Sequence, residues 1–289
     1  MQFGFVTIGL YLCLLIIKAY SSLRYARLYT KQTNAPHKSD EPLTVMQPIL
    51  SGDPLLESSL KHNLERSPSW VNFLWLVDED DAEARRVTRK LAEEFERIET
   101  VLCPKVPERM NPKTFKLDYA FDRVKTLLLA VLDDDTLLSD SSLERSRLAL
   151  QRVDVYTGLP YYLPSKNIWS SLVAHFVNNN SIMTYLPLLN FMKPLSLNGM
   201  FYTVKKETLG RVGGFKAILH QLGDDYAMAK LIKSKGGVIV QGVEPQAVQT
   251  SVTDAKHYLK LMQRWFLFAQ LQILGQPLAV KLLLFIFLG

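Results

Sequence analysis

Asp133, Asp134 and Asp135 follow the apolar run 127–132 without a break. A short continuous apolar run reads as a strand buried on both faces, although a buried helix gives the same pattern. Ligands of parallel sheets bind just beyond the carboxyl ends of the strands, and the aspartates stand at that position. If the extended conformation persists, alternation puts Asp133 and Asp135 on one side. Two hard oxygen ligands there suit Mg2+ or Mn2+, which usually keeps waters and takes the rest of its shell from substrate phosphates. The blander alternative is a solvated turn before the next helix. Ser141 and Glu144 already form a capping box for that helix, so its cap does not require the aspartates.

Two more acidic sites and one basic-aromatic pair complete the set. Asp78 closes the apolar run 71–77 and opens the stretch Asp78-Glu79-Asp80-Asp81. Gly223-Asp224-Asp225-Tyr226 begins a helix expected to run to Lys235. One aspartate suffices to cap that helix, which leaves the other free for chemistry. Arg264 beside Trp265 offers a guanidinium fork that matches a diphosphate. The same pair also fits an interfacial helix with a snorkelling cation and a Trp anchor.

The elements that must position these groups alternate. Residues 42–50 read as a first strand, and Leu56, Leu60 and Leu64 mark one helical face. Residues 71–77 are a second buried strand, followed by a helix carrying Val87, Leu91 and Phe95. A third strand spans 98–103, and a helix over 114–125 buries Leu117, Phe121 and Val124 ahead of the central strand. This alternation predicts a mainly parallel sheet with helices on both faces. The second half is less regular. Strands are expected at 153–159 and 200–204, with helices at 167–180 and 205–212. The apolar stretch 185–197, broken by Pro187 and Pro194, reads as a hydrophobic surface or loop.

The chain has 289 residues, 48% of them hydrophobic, and the apolar excess sits at its two ends. Residues 2–17 carry no charge; as a helix they span roughly 24 Å at about 1.5 Å per residue. Lys18 and Tyr20 extend that reach by snorkelling. A cleaved signal peptide fits less well, because the positive charge follows the apolar run. From Lys18 to Ser39 there are five Lys/Arg and no acid, which places the main domain on the cytoplasmic side by the positive-inside rule. The tail from Pro277 falls short of the ~20 residues needed to span; it lies in the interface or belongs to a longer membrane segment. The expected layout is a transmembrane signal anchor at 1–20, a basic juxtamembrane linker at 21–41 and a catalytic domain at 42–255. An amphipathic interfacial helix with an apolar, membrane-associated tail follows at 256–289. A net charge of +6 without a basic-aromatic run beyond the linker argues against nucleic acid. Cys13 and Cys103 form neither a disulfide framework nor a zinc site.

Taken together, these pieces resemble the inverting, A-fold, family 2-like glycosyltransferases, and among them the ceramide glucosyltransferases. The resemblance is carried by LTVMQPILSGDP at the first strand, VDEDD at the second, NPK at 111–113, LDDD at 132–135, GLPY at 158–161, DDYAMAK at 224–230 and QRW at 263–265. It implies a glycosyltransferase-A-like fold and a role for each site. Asp78 contacts the uracil or ribose end of a UDP-sugar, and Lys113 helps to neutralise the nucleotide. Asp133 and Asp135 hold the diphosphate through Mg2+ or Mn2+. Asp225 is the general base for the acceptor hydroxyl, and Arg264 and Trp265 close over the donor. The family usually has Gln or Arg three residues before that arginine, where this chain has Leu261.

The expected activity is transfer of glucose from UDP-glucose to the hydroxyl of a ceramide-like lipid, with inversion, by a membrane-bound enzyme facing the cytoplasm. Desolvation of Asp225 by an apolar acceptor pocket from 185–197 would raise its basicity. Within the same class, UDP-N-acetylglucosamine and a hopanoid or other lipid form the alternative pair. Outside it stand a non-catalytic membrane adaptor and a metal-dependent phosphohydrolase, the latter lacking the expected nucleophile.

Overall fold

The computed structural model describes residues 2–33 and 41–288. In chain order the elements are α1 (Gln2–Thr33), β1 (Leu43–Ile49), α2 (Leu56–Arg66), β2 (Val71–Asp78), α3 (Ala82–Glu94), β3 (Ile98–Cys103), α4 (Pro112–Ala120), β4 (Leu128–Leu132), β5 (Thr136–Leu137), α5 (Asp140–Ala149), β6 (Val155–Tyr162), α6 (Ile168–Asn180), α7 (Leu186–Leu188), β7 (Phe201–Lys205), α8 (Lys206–Val212), α9 (Asp224–Ser234), β8 (Ile239–Val248), α10 (Ala255–Leu274) and α11 (Leu278–Leu288). They divide into two compact units, one built on the sheet and one on helices alone.

The sheet unit comprises residues 41–163 and 194–251. Its strand order is β3-β2-β1-β4-β7-β6-β8-β5. The first four strands in sequence pair in parallel. β7 runs antiparallel to both β4 and β6, so its amino end meets the carboxyl end of β4. Met46, Leu74, Leu76, Val101 and Val131 share one core with Leu117 of α4, Leu209 of α8, and Met228 and Ile232 of α9. The alternate residues Val45, Phe73, Trp75 and Val77 are equally buried and face the other way, toward the apolar stripes of α2 and α3. Burial on both faces is why β4 and most of β2 read as apolar runs. The parallel strands reverse their order of addition at β1, so the carboxyl ends of β1, β2 and β4 open on one crevice, the usual ligand site of such sheets.

Local starts and stops differ from expectation in instructive ways. The cap of α5 is Ser139, which accepts from Ser142 N–H at 3.2 Å, and not the box at Ser141 and Glu144. Ser139 sits where the chain is still extended, the geometry an N-cap needs. α4 begins earlier than expected because Asn111 caps it, accepting from Thr114 N–H, with Pro112 in its first turn. α9 has Gly223 at its cap position, with no side-chain hydrogen bond there. Neither Asp224 nor Asp225 is therefore used as a cap.

The helical unit gathers α1, residues 164–193 and the chain from 252 onward. The sequence places segment 164–193 within the catalytic domain; it packs instead with the terminal helices. α1 continues to Thr33, well past the expected end of the anchor at residue 20, because 21–33 contains no Gly or Pro to stop it. Among the described residues, Phe5–Lys31 is the one helix long and apolar enough to cross a membrane. It buries Lys18, Ser21 and Ser22 and exposes Phe5, Leu10, Ile16 and Leu23, an inverted pattern suited to lipid. Asn190 Nδ2 donates to Ser21 O at 2.8 Å, and Phe191 meets Phe287 of α11 with ring centroids 5.8 Å apart. The stretch 185–197 does not form a single apolar surface. Leu186 and Leu188 are buried in the helical unit, Leu197 joins the core of the sheet unit, and Phe191 is exposed.

Candidate active site

Asp78 is the last residue of β2. Its Oδ2 lies 2.6 Å from Lys116 Nζ, which also donates to Ile49 O at 3.0 Å. Lys116 thus ties the carboxyl ends of β1 and β2 together from a nearly buried position on α4. Asp78 Oδ1 is buried and has no hydrogen-bond partner, so the carboxylate is held through Oδ2. Lys116→Met should leave Asp78 without its cation and lower stability by about 3 kcal/mol, measured as a denaturant midpoint of the solubilised protein. Behind the pair, burial pushes the Cys103 thiol up to about 11, with Lys116 opposing and Asp78 adding.

The three aspartates after β4 do not continue as a strand. β4 stops at Leu132, and Thr136 N–H closes a turn onto Asp133 O at 3.2 Å. The alternation expected for Asp133 and Asp135 therefore ends with the strand. Buried polar side chains pin the turn. Gln47 Nε2 donates to Asp133 O at 3.2 Å, and Gln47 is itself held by Trp75 Nε1 at 3.0 Å. Asn63 donates to Thr136 O at 2.8 Å and accepts from Leu138 N–H at 2.7 Å. Asn63→Ala leaves both backbone groups unpaired and should destabilise by about 2–4 kcal/mol, read as a drop in unfolding midpoint.

The aspartate side chains diverge in their partners. Asp134 Oδ2 accepts from Leu50 N–H at 2.8 Å, and Asp135 Oδ2 accepts from Thr250 Oγ1. Burial, then Asp135 and Asp133, push Asp134 up to about 7 against the Leu50 hydrogen bond. Burial and Asp133 push Asp135 up to about 6 against hydrogen bonds from Thr250 and Thr136. Crowded, desolvated carboxylates of this kind favour a bound cation. Among the described residues no group of three or more His, Cys, Asp or Glu is placed to hold a metal. The donors present fit a hard cation that shares its shell with a diphosphate, which needs only one or two protein carboxylates.

Lys113 joins this turn to the third acidic site. Its Nζ lies 2.5 Å from Asp133 Oδ1 and donates to Gly199 O at 2.8 Å. A lysine in the first turn of α4 opposes the helix dipole; the carboxylates around it explain its place. Burial works against the Lys113 ammonium, but Asp133, Asp224 and Asp225 outweigh it and hold its pKa well above the usual lysine range. Asp225 rests against Gly199, where an added Cβ would lie 2.8 Å from both carboxylate oxygens. Burial and the neighbouring Asp224 raise the Asp225 pKa well above the ordinary value, with Lys113 opposing. Asp133, Lys113 and Asp225 are thus brought together at the carboxyl edge of the sheet. Arg264 and Trp265 belong to α10 in the helical unit. There Arg264 is exposed, and Trp265 stacks on Phe176 of α6 with ring centroids 6.2 Å apart.

Sequence reasoning missed Lys116, Gln47, Asn63, Thr250 and the close approach at Gly199. Asn63 left a readable signal: it shares the helical face of Leu60 and Leu64, where a polar residue is buried. Gln47 likewise interrupts an apolar strand. Thr250 carries no local pattern, because its partner is distant in sequence.

The sequence profile of glycosyl transferase family 21 matches residues 9–285. The chain belongs to that family. Ceramide glucosyltransferase 1 of Caenorhabditis elegans is 22% identical to this family 21 chain over 227 residues, covering 77% of the chain and 48% of the relative. The chain thus spans about half the length of the curated relative it matches. Among solved structures, mannosyltransferase PcManGT from Pyrobaculum calidifontis, in complex with GDP-Man and Mn2+, superposes with a TM-score of 0.60 at 15% identity, over 95% of this chain and 79% of its own. GalNAc-T7 with UDP, GalNAc and Mn2+ gives 0.55 at 10% identity, over 78% and 48%. These structural likenesses show the glycosyltransferase A-type fold.

Proposed function

We propose that this family 21 protein transfers a sugar from a UDP-sugar, UDP-glucose in the favoured case, to the hydroxyl of a ceramide-like lipid with inversion. The observation that carries the reading is Lys113, bound at once to Asp133 and to the Gly199 carbonyl beside Asp225. A cation on the donor side thereby stands next to a half-buried carboxylate of raised basicity. The name of the nematode relative supports glucose and ceramide.

In this reading Asp78 contacts the uracil or ribose end of the donor, and Lys116 fixes that carboxylate. Lys113 offsets charge on the diphosphate as the glycosidic bond breaks, when stabilisation is most effective. Asp133 and Asp135 would hold Mg2+ or Mn2+, which supplies further charge for the departing UDP. Asp225 takes the proton of the acceptor hydroxyl, whose oxygen attacks the anomeric carbon from the face opposite UDP. Arg264 and Trp265 are assigned to closure over the donor. α1 anchors the chain, and its basic half faces the cytoplasm by the positive-inside rule.

Membranes containing the chain, given labelled UDP-glucose, ceramide and Mn2+, should form a labelled glycolipid that EDTA abolishes. Label appearing only with UDP-N-acetylglucosamine and a different lipid extract would move the substrates within the class. UDP binding without label in any lipid would defeat the transferase reading. Protease added to sealed inside-out vesicles should cleave the sheet unit; protection there would reverse the proposed orientation.

A further inference from the structure

We infer that Gly199 is a positioning residue for sugar transfer, acting through Asp225; the inference rests on Asp225 being the base. The Asn198-Gly199-Met200 turn lies just ahead of β7, and each of its residues holds a different part of the site. Asn198 N–H donates to Thr157 Oγ1 at 2.7 Å, and its side chain donates to Gly158 O at 2.6 Å and Gln241 Oε1 at 2.9 Å. Gly199 O accepts from Lys113 Nζ at 2.8 Å, and Met200 O accepts from Asp133 N–H at 3.0 Å. The turn is therefore fastened to the sheet on one side and to the donor-side residues on the other.

The face of Gly199 is bare where Asp225 lies. Both carboxylate oxygens would stand 2.8 Å from a Cβ, closer than real Cβ atoms tolerate. Gly199 is not among the residues with positive φ, so its backbone conformation is open to any residue. Space for the carboxylate, and not chain flexibility, is what glycine provides here. The missing side chain sets how near the base sits to the peptide that anchors Lys113 and Asp133, and so fixes the spacing between acceptor oxygen and diphosphate. A methyl group moves the carboxylate, the free end of a short side chain, while the turn keeps its backbone bonds. A displacement of about 1 Å at a reacting centre lowers rates by about 100-fold.

The test compares Gly199→Ala with Gly210→Ala in the full chain in membranes; a methyl group at Gly210 would meet nothing within 4 Å. Gly199→Ala should lower kcat about 100-fold while UDP affinity by calorimetry stays within about threefold, and Gly210→Ala should leave both unchanged. Adding Gly199→Ala to Asp225→Ala should not lower the residual rate again, since no carboxylate is left to displace. Wild-type kcat in Gly199→Ala would overturn the inference. So would loss of UDP binding together with kcat, or a further fall in the Asp225→Ala background. An Asp225→Ala variant at wild-type rate would instead remove the base assignment itself.

Discussion

Asp225→Asn should lose about 1,000-fold in transfer rate, within the range of general-base catalysis, while binding UDP with unchanged affinity. The amide keeps the shape that fits against Gly199 and removes only the ability to accept a proton. A free aspartate has a pKa near 3.9 and is a weak base for a lipid hydroxyl. Burial and Asp224 raise Asp225 above that, with Lys113 opposing. A carboxyl with a raised pKa is protonated, and inactive as a base, until the pH passes that pKa. The wild-type rate should therefore rise with pH along an acid limb displaced upward from a free carboxyl, and the small residual rate of Asp225→Asn should lack that limb. Stopped or quenched assays across pH, paired with UDP calorimetry, check both halves. An Asn variant at wild-type rate would remove Asp225 from the chemistry.

Lys113→Met should have the second large effect, mainly on the donor. The substitution deletes the ammonium that meets Asp133 and Gly199 O and leaves Asp133, Asp224 and Asp225 facing one another without it. UDP affinity should fall by about 100-fold, the equivalent of roughly 2.7 kcal/mol, because the diphosphate would add charge to a site already crowded with carboxylates. The same change acts on the base. Lys113 holds the Asp225 pKa down, so its removal raises that pKa and moves the acid limb of the rate to higher pH. A variant that loses UDP affinity but keeps the wild-type pH profile would separate Lys113 from Asp225 and contradict the joined site.

The central strands were legible because burial on both faces leaves an unbroken apolar run, as in 73–77 and 128–132. Their carboxyl ends were legible for the same reason, since Asp78 and Asp133 mark where the runs stop. The turn after Leu132 was not, because it is fixed by Gln47 and Asn63, which lie far away in sequence. That one of the two aspartates at 224–225 could serve as a cap was one reading of the sequence; the cap position falls instead on Gly223, a residue with no side chain to signal it. Gly199 escaped notice because a close approach leaves no pattern in one sequence; only the distance to Asp225 reveals it. The helical unit was half legible. Apolar ends announced the terminal helices, but nothing local showed that 164–193 would pack with them.

The configuration of the product tests the central claim most directly. A single carboxylate acting as base, with no protein nucleophile on the path, inverts the anomeric carbon in one displacement. The α-linked sugar of UDP-glucose should therefore appear as a β-glucoside on the lipid, read from the anomeric proton coupling of the purified glycolipid. An α-glucoside would require a second displacement or front-side attack, and would contradict the role given to Asp225.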